Sequence, residues 1–184
     1  MHFRQLDLPG AWLLTPERHE DDRGAFTRLF CQRELSAHGL NPVMAQSSLS
    51  SNHEAGTVRG LHLQAPPHQE GKLVHVVRGA IFDVVVDLRQ RSPTYGRHVA
   101  AELSADNGHS LWVPPGCAHG FQTLEDDTDV LYFISEFYRP EAGRGVRYDD
   151  PELGIPWPLP VSKIAEKDLA LPKLRELKSP SADA

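Results

Sequence analysis

The sequence predicts an all-β fold, a sandwich or barrel of short strands. Three observations carry this expectation. Apolar and β-branched residues gather in short runs, several of which alternate with polar ones. Gly and Pro turn signals separate these runs at close spacing. Helical patterning is confined to brief segments. The chain has 184 residues, enough for one domain with a substantial core. No internal repeat, linker or low-complexity block divides it, so residues 1–184 read as a single domain.

Residues 1–30 read as short extended pieces, with turns at Pro9-Gly10 and at Glu20-Asp21-Asp22 before Arg23-Gly24. Residues 31–40 suit a short helix that ends at Gly39, a C-terminal cap. The polar stretch 46–55 reads as a strand edge or loop. Strands follow at 59–64, 72–77 and 81–88, separated by Pro66-Pro67, Gly71 and Gly79. The stretch 89–96 is a connecting loop and His98 to Leu103 a further strand. Leu111-Trp112-Val113 is a short strand closed by Pro114-Pro115-Gly116. Strands at Phe121 to Leu124 and Val130 to Ser135 flank the acidic turn Glu125-Asp126-Asp127. Pro158 and Pro160 forbid a regular helix there. Residues 163–174 form either a short helix or a tail laid across the barrel, and 177–184 read as a frayed end.

Charged residues are 24% and hydrophobic ones 40% of the chain, a globular balance that argues against disorder. The formal net charge of -6 argues against a general nucleic-acid binder, though not against a local basic pocket for one phosphorylated ligand. Cys31 and Cys117 make no CxxC pair and suggest no disulfide framework. No apolar run reaches membrane-spanning length, and Met1-His2-Phe3-Arg4-Gln5 opens no signal peptide. The simplest address is a reducing cytoplasm.

The organising stretch is Arg59-Gly60-Leu61-His62-Leu63-Gln64, followed by Lys72-Leu73-Val74. Strand alternation puts Arg59, Leu61 and Leu63 on one face and Gly60, His62 and Gln64 on the other. It likewise separates Lys72, Val74 and Val76 from Leu73, His75 and Val77. A His and a Lys on otherwise apolar strands either point into a small-molecule pocket or sit exposed on a half-buried surface.

With Arg59-Gly60-Leu61-His62 and Pro114-Pro115-Gly116-Cys117-Ala118-His119-Gly120-Phe121 both in view, the sequence resembles the dTDP-4-dehydrorhamnose 3,5-epimerase family. The likeness also takes in Asp22-Arg23-Gly24, Ser92-Pro93-Thr94-Tyr95-Gly96, Asp149-Asp150-Pro151, Ile155-Pro156-Trp157-Pro158 and Lys167-Asp168, in order along most of the chain. It implies a cupin jelly roll, a double-stranded β-helix barrel with short peripheral helices. It also implies a homodimer whose N-terminal strands pair across the interface and help line the partner's pocket. The implied activity is that of an isomerase needing neither metal nor organic cofactor. It inverts C3 and/or C5 of a nucleotide-linked 4-keto-6-deoxyhexose, in rhamnose-type deoxysugar and polysaccharide biosynthesis.

A proton beside a ketone is weakly acidic, and its loss leaves an enolate with charge on the former carbonyl oxygen. The reaction needs a base on one face, a cation at the oxygen and an acid on the opposite face. His62 suits the base, since imidazole accepts a proton near neutrality. By resemblance Asp168 holds that imidazole, Lys72 stands by the enolate oxygen, and Tyr132 is the proton donor. Asp83 is a candidate partner for Lys72. Arg59 and Arg23 suit a diphosphate, which guanidinium binds in bidentate fashion, with Arg23 reaching across the dimer. His119 and Lys167 are further substrate contacts. Tyr138, an even number of places after Tyr132 and so on the same strand face, suits stacking on a base or sugar. Bland readings stand beside these: core histidines for His62 and His119, a helix cap for Asp168, a solvated turn charge for Arg23, and packed aromatics for the tyrosines.

Three positions depart from the family pattern. Arg28 stands where the family has a nucleotide-contacting glutamate, Ser47-Ser48-Leu49 where it has a Gln-x-Asn patch, and Gly143 where it has a glutamate. All concern substrate binding, and the proton-transfer set is intact. They leave open the nucleotide, the hexose and which carbon is inverted. Two other functions compete. A metal-dependent cupin oxygenase needs three or four ligands, and His62-Leu63-Gln64 with His119 supplies two imidazoles. A non-catalytic sugar-binding cupin would need no proton-transfer set.

Overall fold

The computed structural model describes residues 1–177, and its regular elements are mostly antiparallel strands. In chain order these are β1 (His2–Gln5), β2 (Trp12–Thr15), β3 (Arg18–Asp21) and β4 (Gly24–Thr27), then helix α1 (Gln32–Ala37). There follow β5 (Gln46–Asn52), β6 (Val58–Gln64), β7 (Lys72–Arg78), β8 (Ala80–Asp87), β9 (His98–Ser104) and β10 (Ser110–Val113). The remaining elements are β11 (Cys117–Thr123), β12 (Thr128–Ile134), a 3-10 turn (Pro140–Ala142), β13 (Gly143–Gly145) and the single helical turns α2 (Glu166–Leu169) and α3 (Leu174–Leu177). One sheet runs β1-β2-β10-β7-β12-β5 and the other β13-β6-β11-β8-β9, while β3 and β4 form a hairpin by themselves. Two antiparallel sheets packed in this way are a cupin-type jelly roll.

Strand alternation decides what each sheet encloses. On β7, Val74 and Val76 join Leu13, Ile81, Val85, Leu111, Phe121 and Val130 in the core between the sheets, whereas Leu73 turns outward to Leu14, Leu35 and Trp112. The split expected for β7 is therefore observed, and α1 is the lid over that outer cluster. Gly39 ends α1 with φ +71°, and its N–H donates to the Ser36 carbonyl at 3.0 Å. Glycine adopts that left-handed backbone without a Cβ penalty. Strand β8 is apolar on both sides of Asp83 because both faces of the strand are covered. Val85 faces the core, while Val84 and Val86 pack with Leu61, Ala118, Val146, Leu153 and Leu174 beneath the C-terminal segment.

That segment is helical only at α2 and α3, so the reading of 163–174 as a tail laid on the barrel fits better than one helix. It is pinned by side chains of the barrel. The Gln122 amide donates to the Leu159 carbonyl at 2.8 Å and accepts from the Leu159 N–H at 2.9 Å. Strand β11 begins at Cys117, four places before the expected Phe121, because Cys117 to Gly120 pair with β8. Leu177, expected to begin the frayed end, instead closes α3 and packs against the cluster of Val84 and Val86, and the rest of that end lies outside the described residues. Among those residues no helix is long and apolar enough to cross a membrane.

The loop after β8 is organised by the buried carboxylate of Asp87. It accepts from the Arg89 guanidinium at 2.7 and 2.8 Å and from the hydroxyls of Ser92 and Thr94 at 2.5 and 2.6 Å. Burial alone would raise its pKa, but these donors outweigh burial and hold it down from 3.8 to about 2. The stability this group adds is complete above its unfolded value and is lost as pH falls through the folded one, a contribution of about 2 kcal/mol. The Asp87→Asn variant is expected to unfold more easily by roughly that amount at pH 7. Its deficit should shrink as pH falls from about 4 towards 2, as read by urea titrations at several pH values.

Candidate active site

A cavity of about 690 Å³ opens at one end of the barrel. Its wall draws on β5, β6, β7, β11, β12 and the C-terminal segment. His62, Lys72, His119, Tyr132 and Asp168 all line it, together with Arg59, Ser48, Tyr138 and Lys167. Residues far apart in sequence converge because β6 and β11 are neighbours, with His62 directly opposite His119.

The expected separation of Arg59 from His62 fails, for a definable reason. The register between β6 and β11 shifts between His119 and Phe121, so Gly60 and Leu61 together oppose Gly120. This is a β-bulge, which re-aims side chains beside it. Leu61 packs outward with Val84 and Ala118, and Arg59 turns to the cavity with His62. The crossing needs two facing glycines. A Cβ on Gly60 would lie 2.6 Å from the Gly120 Cα, and one on Gly120 would lie 2.5 Å from the Arg59 carbonyl oxygen.

Asp168, buried at 2% exposure, reaches His62 from α2. Its Oδ1 is 2.7 Å from His62 Nε2, and its Oδ2 accepts the Gly60 N–H at 3.1 Å. Burial works to raise this carboxyl, but the hydrogen bonds from His62 and Gly60 outweigh it and hold the pKa below the ordinary carboxylate value. An ionised Asp168 accepts the Nε2 proton, which leaves His62 Nδ1 as the basic nitrogen. The imidazole is 40% exposed towards the cavity.

His119 forms a second couple on the neighbouring strand, with Nε2 2.7 Å from Asp83 Oδ1. Asp83 is fully buried, and its Oδ2 has no hydrogen-bond partner among the described residues. Burial drives its pKa up, against the pull of His119 and Lys72. The Tyr132 ring meets His119 edge-on, with centroids 5.9 Å apart. Burial, and secondarily the Asp83 charge, pushes the Tyr132 phenol far above its usual range. Lys72 is paired with Glu70 at 2.9 Å and not with Asp83 as anticipated, and it donates to the His62 carbonyl at 3.2 Å.

The remaining expected residues divide. Arg59 lines the cavity with its Nε donating to Asn52 Oδ1 at 2.6 Å. On β5, period two presents Gln46, Ser48 and Ser50 to the cavity, and turns Ser47 and Leu49 away. Tyr138 lies beyond the end of β12, so strand spacing does not place it. It reaches the cavity mouth on a loop fixed by the bond from its N–H to Gln46 Oε1 at 2.6 Å. Arg23 does not line this cavity. It sits at the tip of the β3–β4 hairpin, paired with Asp21, with its side chain 86% exposed. Arg28 pairs with Glu34 at 3.2 Å, away from the cavity, whereas Gly143 lines it. Gln64 is occupied by backbone, donating to the carbonyls of His68 and Phe137 and accepting the Arg139 N–H. Among the described residues no group of three His, Cys, Asp or Glu side chains is arranged to hold a metal ion. Sequence reasoning missed Glu70, Gln46, Ser50 and Asn52. Alternation from Ser48 would have found Gln46 and Ser50.

Fold and cavity together define a cupin-type barrel with histidine–carboxylate couples facing a ligand space. The family model described as dTDP-4-dehydrorhamnose 3,5-epimerase matches residues 5–176. A dTDP-4-dehydrorhamnose 3,5-epimerase of Sinorhizobium fredii is 44% identical over 178 residues, covering 96% of this chain and 91% of that one. The crystal structure of the Bacillus anthracis enzyme of that name, with TDP and PPi bound, superposes with a TM-score of 0.90 at 42% identity. It covers 94% of this chain and 98% of that one. ChmJ, a 3'-monoepimerase from Streptomyces bikiniensis in complex with dTDP-quinovose, gives a TM-score of 0.87 at 33% identity, covering 92% and 86% of the two chains. The chain belongs to the dTDP-4-dehydrorhamnose 3,5-epimerase family.

The paired glycines give a direct test of how the bulge supports the site. Gly120→Ala is expected to cost on the order of 1–3 kcal/mol by overpacking and to weaken ligand binding through displaced Arg59. Denaturant melts and titration with dTDP would measure both.

Proposed function

We propose that this protein is an isomerase that epimerises a dTDP-linked 4-keto-6-deoxyhexose at C3, C5 or both, within deoxysugar biosynthesis. The observation that carries this reading is the placement of His62, fixed by Asp168, in the same cavity as Lys72 and Tyr132. His62 Nδ1 removes the proton beside the 4-keto group. Asp168 steadies the imidazolium that forms, as carboxylates do for catalytic histidines generally. Electrons move onto the keto oxygen, where the Lys72 ammonium offsets the new negative charge. Tyr132 then returns a proton to the opposite face of the carbon. A phenol driven upward by burial stays protonated at neutral pH and yields its proton only to a strong base, which an enolate carbon supplies. Arg59, Lys167, Ser48, His119 and Tyr138 bind the remainder of the nucleotide sugar.

The same reading includes a homodimer. Phe26 and Arg23 project from the β3–β4 hairpin, 72% and 86% exposed, and the hairpin has no sheet partner among the described residues. In the dimer it reaches the partner's cavity, where Arg23 meets the diphosphate. Free Cys31 and Cys117 suit a reducing, cytoplasmic address.

Proton NMR in deuterated water tests the reaction. Incubation with a dTDP-4-keto-6-deoxyhexose should place deuterium at C3 or C5, and the position labelled distinguishes single from double epimerisation. A sugar-binding protein without catalysis would label neither. His62→Ala should abolish exchange with the melting midpoint retained, and Asp168→Asn should slow it by roughly 10²–10⁴-fold. For the dimer, Arg23→Ala should raise KM with kcat little changed, while light scattering still reports two chains. A monomeric wild type would overturn the shared site.

A further inference from the structure

Lys72 is held by two anchors, and one of them has no part in the reaction as drawn above. Its ammonium lies 2.9 Å from Glu70 Oε1 and donates to the His62 carbonyl at 3.2 Å. The other Glu70 oxygen accepts the Gln64 N–H at 3.1 Å. Both side chains are largely enclosed, Glu70 at 5% and Lys72 at 12% exposure, and both line the cavity. An ammonium has three N–H donors and a free choice of rotamer. Two anchors use two donors and leave the third for a ligand in the cavity that Lys72 lines. Glu70 thereby bridges the end of β6, which carries His62, to the start of β7, which carries Lys72.

We propose that Glu70 is a positioning residue for the epimerisation: its carboxylate fixes the Lys72 ammonium at the point where the enolate oxygen develops. The proposal rests on the epimerase reading and adds to it. Two effects of the carboxylate oppose each other. It aims the cation, and its own negative charge disfavours the developing oxyanion. Preorganisation of a donor is worth most where charge appears only in the transition state, so the aiming effect dominates. Glu70→Gln removes the charge and leaves one amide oxygen to serve two donors, so one anchor is lost.

The test measures kcat and KM from deuterium incorporation, dTDP affinity by calorimetry, and the melting midpoint. Glu70→Gln is expected to lower kcat by about 10–100-fold while dTDP affinity stays within about twofold, the pattern of an interaction made in the transition state. Glu70→Asp, which keeps the charge but shortens its reach, is expected to fall between the two, and it carries the comparison if Glu70→Gln does not fold. An unchanged or raised kcat in these variants overturns the proposal, as does a fall in kcat matched by equal loss of dTDP affinity. A wild type that exchanges no proton overturns the epimerase reading and this proposal together. A wild type that exchanges normally beside an unaffected Glu70 variant overturns this proposal alone.

Discussion

The contact between Asp168 and the strand β6 is the constraint on which the cavity depends. One carboxylate, delivered from near the end of the chain, holds both the His62 ring and the Gly60 backbone. For it to arrive, the C-terminal segment must lie across the outer face of the five-stranded sheet. The apolar layer of Leu61, Val84, Val86, Leu153 and Leu174 supplies that adhesion. The Gln122 amide fixes its route by hydrogen bonds at both the N–H and carbonyl of Leu159. The imidazole's orientation is thus a consequence of tertiary packing, although its chemistry is local. The bulge at Gly60 and Leu61 belongs to the same device, since it frees the Gly60 N–H to face Asp168 instead of continuing the ladder.

Much of this was legible in the residues, and the reasons are physical. Period-two patterning on β7 and the turn chemistry of Gly39 depend on neighbours close in sequence, so both could be read directly. The convergence of His62, Lys72, Tyr132 and Asp168 on one cavity was legible because those residues matched a known motif pattern. What could not be read were contacts decided by register. Alternation separates Arg59 from His62, and only the shift opposite Gly120 reunites them. Alternation from β12 also fails for Tyr138, because the strand stops at Ile134. Lys72 was matched with Asp83, whereas the turn between β6 and β7 brings Glu70 nearer. For Arg59 and Tyr138 a bulge or loop intervenes where a regular strand is expected, and for Lys72 nearness in chain order does not decide the partner.

The two histidine–carboxylate couples differ in a way that selects the base of the proposed reaction. Both have a ring nitrogen 2.7 Å from a carboxylate oxygen. Asp168 has hydrogen bonds on both oxygens, and these outweigh its burial and favour its charged form. Asp83 is bonded at one oxygen only and sealed from water, so burial disfavours its charge. A base gains most from a carboxylate that is reliably ionised, because the imidazolium it becomes then has a counter-charge in place. His62 has that support and an open face to the cavity, while His119 is enclosed. The Asp83 couple also lies beside the phenol. Whatever negative charge Asp83 carries makes Tyr132 harder to ionise, which preserves the phenol as an acid. Two couples of similar geometry are thus set apart by their surroundings, which push the two carboxyl groups in opposite directions, and in the proposed reaction only the Asp168 couple has the ionised partner a base needs.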